Sequence, residues 1–209
     1  MVISYYGEGC FKMQVGEATV LIDPFESQSG LSVPRFKFDL LIKTLAPYPL
    51  KKTDLLDTEV TEIFGPGQYN AKNIDIQGFG LIKESSEKFL KTVYLLKAEG
   101  LKLCLLGHIS EMPSPEISEF LEEVDVLFIP AGGKPFLNQA LAAKLIKQIE
   151  PKIVIPSFYK VSGLKRPSDD LKEFLEEANH QKIEPQEKFS VKKKDLADIK
   201  SAQVVVLKI

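Results

Sequence analysis

The chain has 209 residues, a length at which one packed domain is ordinary, and residues 1–209 read as a single domain. Its net charge of −2 gives no general attraction to nucleic acid or to an anionic membrane. No apolar run approaches the roughly 18 residues that span a bilayer, and Met1-Val2-Ile3-Ser4-Tyr5-Tyr6 lacks the basic-then-apolar layout of a secretory signal, so a cytoplasmic protein is expected.

The first half reads as strands. Ile3 to Tyr6 is a short one. Cys10 to Val15 alternates in character, Gly16-Glu17 turns it, and Ala18 to Ile22 completes a hairpin that Asp23-Pro24 ends. Glu26 to Pro34 reads as loop, and Asp39-Leu40-Leu41-Ile42-Lys43-Thr44 as a buried strand. Beyond the Gly65-Pro66-Gly67 turn, Tyr69 to Ile76 and Phe79 to Ile82 read as strands. Thr92 to Lys97 and Leu101 to Leu106 form a second hairpin around Glu99-Gly100.

The second half alternates helix and strand. Ile117, Phe120, Leu121 and Val124 share one helical face behind Ser114 as N-cap and Pro115 as first residue. Val126 to Ile129 is a buried strand. Leu137, Leu141, Leu145 and Ile149 give the next helix, and Ile153 to Ile155 the next strand. Ser168 is expected to cap a third helix carrying Leu171, Phe174, Leu175 and Ala178 on one face, and Phe189–Val191 and Val204–Ile209 close the chain as strands. Cys10 and Cys104 lie inside apolar strands and make no disulfide framework, so buried thiols are expected. Lys192-Lys193-Lys194 reads as a solvated strand end or turn. Strands, then alternation, then strands suggest two sheets with helices outside them, an α/β sandwich.

Five stretches in order carry a resemblance. They are Ile3-Ser4-Tyr5-Tyr6-Gly7-Glu8-Gly9-Cys10-Phe11, Leu21-Ile22-Asp23-Pro24-Phe25, Leu103-Cys104-Leu105-Leu106-Gly107-His108, Val124–Gly133 and Pro151–Tyr159. They resemble the metallo-β-lactamase superfamily, in the branch that includes ascorbate-6-phosphate-lactonase-like zinc-dependent hydrolases. The resemblance implies a four-layer αββα sandwich. It also implies a strand running into Thr-His-x-His-x-Asp-His, whose ligands hold zinc that activates a water against an ester, lactone, amide or phosphodiester.

Here that strand runs from Asp39 through Thr44 into Leu45-Ala46-Pro47-Tyr48-Pro49-Leu50. By the resemblance, Leu45 and Pro47 stand at the first two histidines, Pro49 at the aspartate and Leu50 at the next histidine. Lys83 falls near a further histidine, His108 replaces a bridging aspartate, and Phe158 replaces the last histidine. One imidazole cannot hold catalytic zinc, so no cofactor is expected. The apolar replacements are expected to converge with His108 and to fill the former cleft. Asp23 is expected to find Lys83, His108 or amides of the 45–50 loop as partner, because a buried unpaired carboxylate is costly.

The remnant-site residues are Asp23, Lys83, His108 and Tyr159, each with a structural reading beside the chemical one. Asp23 can cap its turn, His108 can be a hydrogen-bonded structural histidine, and Tyr159 can pack at a strand end. No serine has a nucleophile's context, and Gly132-Gly133 reads as a turn. The expected function is that of a degenerate member, a pseudo-hydrolase that binds or scaffolds. Its partner is a small molecule or protein rather than nucleic acid or membrane, and a homo-oligomer stays open. The alternative is a hydrolase with an altered or metal-free site.

Overall fold

The computed structural model describes residues 1–49, 59–179 and 183–209, so Leu50 and His180 lie outside the described residues. In chain order the strands are β1 (Val2–Gly7), β2 (Cys10–Val15), β3 (Ala18–Ile22), β4 (Leu40–Lys43), β5 (Leu45–Pro47), β6 (Thr61–Phe64), β7 (Gly67–Ala71) and β8 (Ile74–Gly80). Then come β9 (Phe89–Ala98), β10 (Leu101–Leu105), β11 (Val126–Pro130), β12 (Ile153–Ser157), β13 (Phe189–Ser190) and β14 (Gln203–Val204). Helix α1 (Pro115–Phe120) precedes β11, α2 (Gln139–Ile149) joins β11 to β12, and α3 (Leu171–Glu177) follows β12.

Two sheets result. One runs β13-β1-β2-β3-β4-β6; the other runs β14-β12-β11-β10-β9-β8-β7, with β5 also on β9. Strand β1 alternates half-buried and buried residues, as a strand with one core face must. Strands β11 and β12 are buried throughout, which suits parallel strands in the middle of a sheet. Ile3, Met13, Ile22 and Leu40 of one sheet share a core with Tyr94, Leu103, Leu127 and Ile155 of the other. Each fully buried aliphatic side chain in it contributes about 1.5–3 kcal/mol.

Thr44 marks where the chain changes sheets. Strand β4 pairs with β3 and β6 in the first sheet, whereas β5, one residue later, pairs with β9 in the second. The carbonyl of Thr44 accepts from the Thr92 amide at 2.8 Å, fastening the crossing.

Several local expectations need correction. Tyr69 to Ile76 is not one strand. Lys72 and Asn73 both take positive φ, 53° and 61°, and turn β7 into β8 with Ala71 opposite Ile74. A Lys-Asn turn lacks the glycine that signals such hairpins in sequence. Ile82 lies in a short 3-10 turn rather than a strand. The third helix is capped by Asp170, whose carboxylate accepts from the Lys172 amide, and not by Ser168. Helix α1 stops at Phe120, which is exposed, while Leu121 and Val124 reach the core from the following turn. Phe189–Ser190 is a strand as expected and pairs with β1, whereas Val204–Ile209 is not one strand: it pairs over β14 and at a bridge at Leu207. Cys10 and Cys104 are buried free thiols, as expected.

Candidate functional site

The site's residues emerge just beyond the carboxyl ends of strands: Asp23 after β3, Thr44 after β4, His108 after β10 and Phe158 after β12. Strand ends in layered α/β sheets commonly build sites this way, because the side chains converge where the ladders stop.

Asp23 is tied down on both sides. Its amide donates to the Ile42 carbonyl at 3.0 Å. Its Oδ1 accepts from the Thr44 amide at 2.7 Å and its Oδ2 from the Thr44 hydroxyl at 2.6 Å. The same hydroxyl lies 2.7 Å from Nδ1 of His108, and His108 Nδ1 is 3.9 Å from Asp23 Oδ2. Asp23, Thr44 and His108 thus form one chain of hydrogen bonds. Burial pushes the Asp23 carboxyl up to about 7, against the opposing pull of the Thr44 hydrogen bonds and Lys43. Burial, with Lys91 and Arg166 nearby, lowers His108 to about 4.

Gly107 makes the contact geometrically available. Its φ is +54°, and a Cβ there would lie 2.1 Å from Thr44 Oγ1. Gly107→Ala should therefore cost on the order of 3 kcal/mol, from left-handed strain plus displacement of the threonine. Chemical denaturation measures this, and a loss below about 1 kcal/mol would contradict the geometry.

Phe158 is a buried aromatic in left-handed conformation, φ 59°. Its amide donates to the Glu8 carbonyl at 2.8 Å, and its carbonyl accepts from Arg166 Nη2 at 2.7 Å. Arg166 is held in turn by Glu8, with Nη2 2.9 Å from Oε2, and lies 5.0 Å above the Phe136 ring. The Phe158 ring stands 4.2 Å from that of Phe136 and 4.9 Å from that of His108.

These residues line a cavity of about 440 Å³ together with Leu45, Pro47, Lys43, Gly9 and the Pro24–Glu26 turn. A larger cavity, about 930 Å³, lies around the β9–β10 turn, lined mostly by charged side chains. Its central acid, Asp125, is already bound by Lys193 and by the Lys102 amide. We therefore place the candidate site at the smaller cavity, where Asp23 and His108, both pushed far from their ordinary values, lie.

Leu45, Pro47, His108 and Phe158 do meet at one place. They do not fill it. Strand β5 alternates exposed, buried, exposed, so its pairing with β9 sends Ala46 inward and leaves Leu45 and Pro47 as a rim. Pro49 is exposed, and Leu50 falls outside the described residues. Lys83 is not Asp23's partner. It is exposed in the Ile82–Glu84 turn, which directs Glu84 inward instead. Glu84 Oε2 accepts from the Ser110 amide and hydroxyl and from Lys91 Nζ, and Lys91, not Lys83, is the lysine that acts with Arg166 on His108. Tyr159 is a core residue: its hydroxyl donates to the Leu207 carbonyl at 3.1 Å, its ring packs on Tyr5, and burial raises its phenol.

Thr44, Arg166, Glu8 and Phe136 were not singled out from the sequence. Thr44 alone had a signal there, as the threonine that precedes the histidines in the family's loop. The donor set does not fit zinc. Among the described residues no group of three or more His, Cys, Asp or Glu is placed to hold a metal. Leu45, Pro47 and Phe158 carry no donor atom, and the Nδ1 of His108 is engaged by Thr44.

Comparison with known proteins places this geometry in a family. A family model described as a β-lactamase superfamily domain matches residues 2–157. A UPF0173 protein of Pyrococcus furiosus is 24% identical over 193 residues, spanning 83% of this chain and 90% of that one. One from Pyrococcus abyssi is 21% identical over 179 residues, spanning 78% and 85%. Among solved structures, a Thermotoga maritima protein assigned as a Zn-dependent hydrolase of the metallo-β-lactamase superfamily superposes with TM-score 0.77 at 24% identity, covering 99% of this chain and 97% of that one. A metallo hydrolase of Ignicoccus hospitalis superposes with TM-score 0.65 at 18% identity, covering 91% and 99%. The fold is the αββα sandwich of these proteins, and the chain belongs to the β-lactamase superfamily.

Proposed function

We propose that this chain is a metal-independent binding member of its superfamily, using the cleft of a zinc hydrolase as a pocket for a small molecule. The observation that carries the reading is the apolar cast of the ligand positions. Leu45, Pro47 and Phe158 line the 440 Å³ cavity with side chains that cannot coordinate, around a single imidazole. Asp23, His108, Glu8, Glu26, Lys43 and Arg166 share the lining with these apolar side chains, and a concave site of this size with convergent polar groups is the ordinary form of a small-molecule site.

The test pairs elemental analysis of protein purified without added metal with assays of ester, lactone and phosphodiester hydrolysis. A family homologue that keeps its histidines runs beside it. The expected result is no stoichiometric metal, no zinc-stimulated hydrolysis and a thermal midpoint that EDTA leaves unchanged, because metal binding contributes nothing to folding here. One zinc per chain, with a midpoint that drops on chelation and returns with zinc, overturns the reading.

The free imidazole edge at the cavity favours a second reading, hydrolysis without metal. Zinc-independent turnover that disappears in His108→Gln would select it.

A further inference from the structure

The hydrogen-bond chain Asp23–Thr44–His108 ends at an atom with no assigned partner. His108 Nδ1 faces Thr44, while Nε2 has no hydrogen-bond partner among the described residues, and the ring lines the cavity. A threonine hydroxyl has one proton to give. When Asp23 is a carboxylate, both its oxygens accept, so the Thr44 proton goes to Oδ2. Thr44 Oγ1 can then only accept from His108, which puts the ring proton on Nδ1 and leaves Nε2 bare.

We propose that Asp23, Thr44 and His108 form a metal-independent proton relay that presents His108 Nε2 to the cavity as acceptor for the O–H of a compact aromatic alcohol. The inference rests on the metal-independent reading of the cavity given above. The relay balances without an outside reagent. A proton reaching Nε2 releases the Nδ1 proton to Thr44 Oγ1, which passes its own to Asp23 Oδ2. Three protons each move one place, and the imidazole is neutral at the start and at the end.

The walls select the ligand's body. The Phe136 and Phe158 rings stand 5.6 and 4.9 Å from the imidazole, edge to face, and Leu45 and Pro47 form the rim. An aromatic ring packs well among such groups. The charges facing the relay suit a hydroxyl that gains partial negative character as it donates. Lys43, paired with Glu62, acts on Asp23, and Lys91 and Arg166, paired with Glu84 and Glu8, act on His108. Glu26 is the other acid on the lining. The carboxyl of Asp23, held up to about 7 by burial, is ionised at pH 8.

The experiment is 15N NMR of the histidine rings at pH 8, with phenol and its methyl ether anisole as probes. The chain has only two histidines, His108 and His180, and His108→Gln assigns them. The expected wild-type result is the Nδ1–H tautomer for His108, an Nε2 resonance that moves with phenol and not with anisole, and phenol bound about ten-fold tighter than anisole. Thr44→Val removes the link, so His108 should revert to the Nε2–H form common in water and the preference for phenol should vanish. Asp23→Asn gives an independent reading should Thr44→Val fold poorly. Its amide donates to Thr44 Oγ1, the hydroxyl turns to Nδ1, and the proton moves to Nε2.

Nε2–H in the wild type at pH 8, or a tautomer that neither variant changes, overturns the relay. Equal binding of phenol and anisole, or binding of neither, overturns the ligand assignment. Stoichiometric zinc would sink the metal-independent reading itself, whereas a zinc-free protein with the wrong tautomer sinks only the relay.

Discussion

Replacing Phe158 by alanine is expected to destabilise the protein by about 3 kcal/mol, with a cost of the same kind as other buried aromatic truncations. The side chain is only 2% exposed. Its ring packs on Phe136 and His108, and it lies so close to Gly9 that a Cβ there would sit 2.4 Å from Phe158 Cζ. Alanine does not relieve the left-handed backbone at this position, because its own Cβ suffers the same clash. The loss is held near the lower end of the usual range because the truncated site opens on the cavity, where water can enter. Leu45→Ala is the control. Leu45 stands at another former ligand position and lines the same cavity, but it is 37% exposed, so its truncation should cost under about 1 kcal/mol. Urea unfolding of both variants measures the contrast. Equal effects would mean that Phe158 is not part of the core at this end of the sheets.

Much of this architecture was open to reading in the sequence, and the failures have physical causes. Continuous apolar runs such as Val126 to Ile129 and Ile153 to Ile155 announce buried parallel strands, and they proved to be β11 and β12. The Lys72-Asn73 turn escaped because both residues adopt a conformation usually advertised by glycine. At the site, the resemblance located Asp23, His108 and Phe158 by their place after strands. It misplaced Lys83, since alignment by strand order cannot tell which residue of a short 3-10 turn faces inward. It could not supply Arg166 or Glu8 either. Those two are 158 residues apart in sequence, and their pairing exists only through the fold. Thr44 was visible as a remnant of a motif, but its role depends on Gly107 bringing His108 to within hydrogen-bond distance.

The buried pair Asp23 and His108 should make single variants pull the stability–pH profile in opposite directions. Burial raises Asp23 from 3.8 to about 7 in the folded protein. Between those values the native state holds a proton that the unfolded chain has released. By linkage this term lowers stability as pH rises through the window, with a maximum slope of about 1.4 kcal/mol per pH unit. Burial, Lys91 and Arg166 lower His108 from 6.5 to about 4. Between those values the unfolded chain holds the extra proton, so this term raises stability as pH rises, with the same limiting slope. Over the shared window, from about 4 to 6.5, the native pair carries one proton on Asp23 and the unfolded pair carries one on the imidazole. The proton counts match and the two slopes cancel. Asp23→Asn lacks the carboxylate term and keeps the histidine term, so its stability relative to wild type should climb from about pH 4 to 7. His108→Gln lacks the histidine term and keeps the carboxylate term, so its stability relative to wild type should fall from about pH 4 to 6.5. Urea unfolding of the three proteins at half-unit pH steps gives the difference curves, in which the background from all other groups drops out. Curves that run parallel would mean that neither group changes its affinity for protons on folding, and that the Asp23–Thr44–His108 chain is a hydrogen-bonded structural tie with no proton to move.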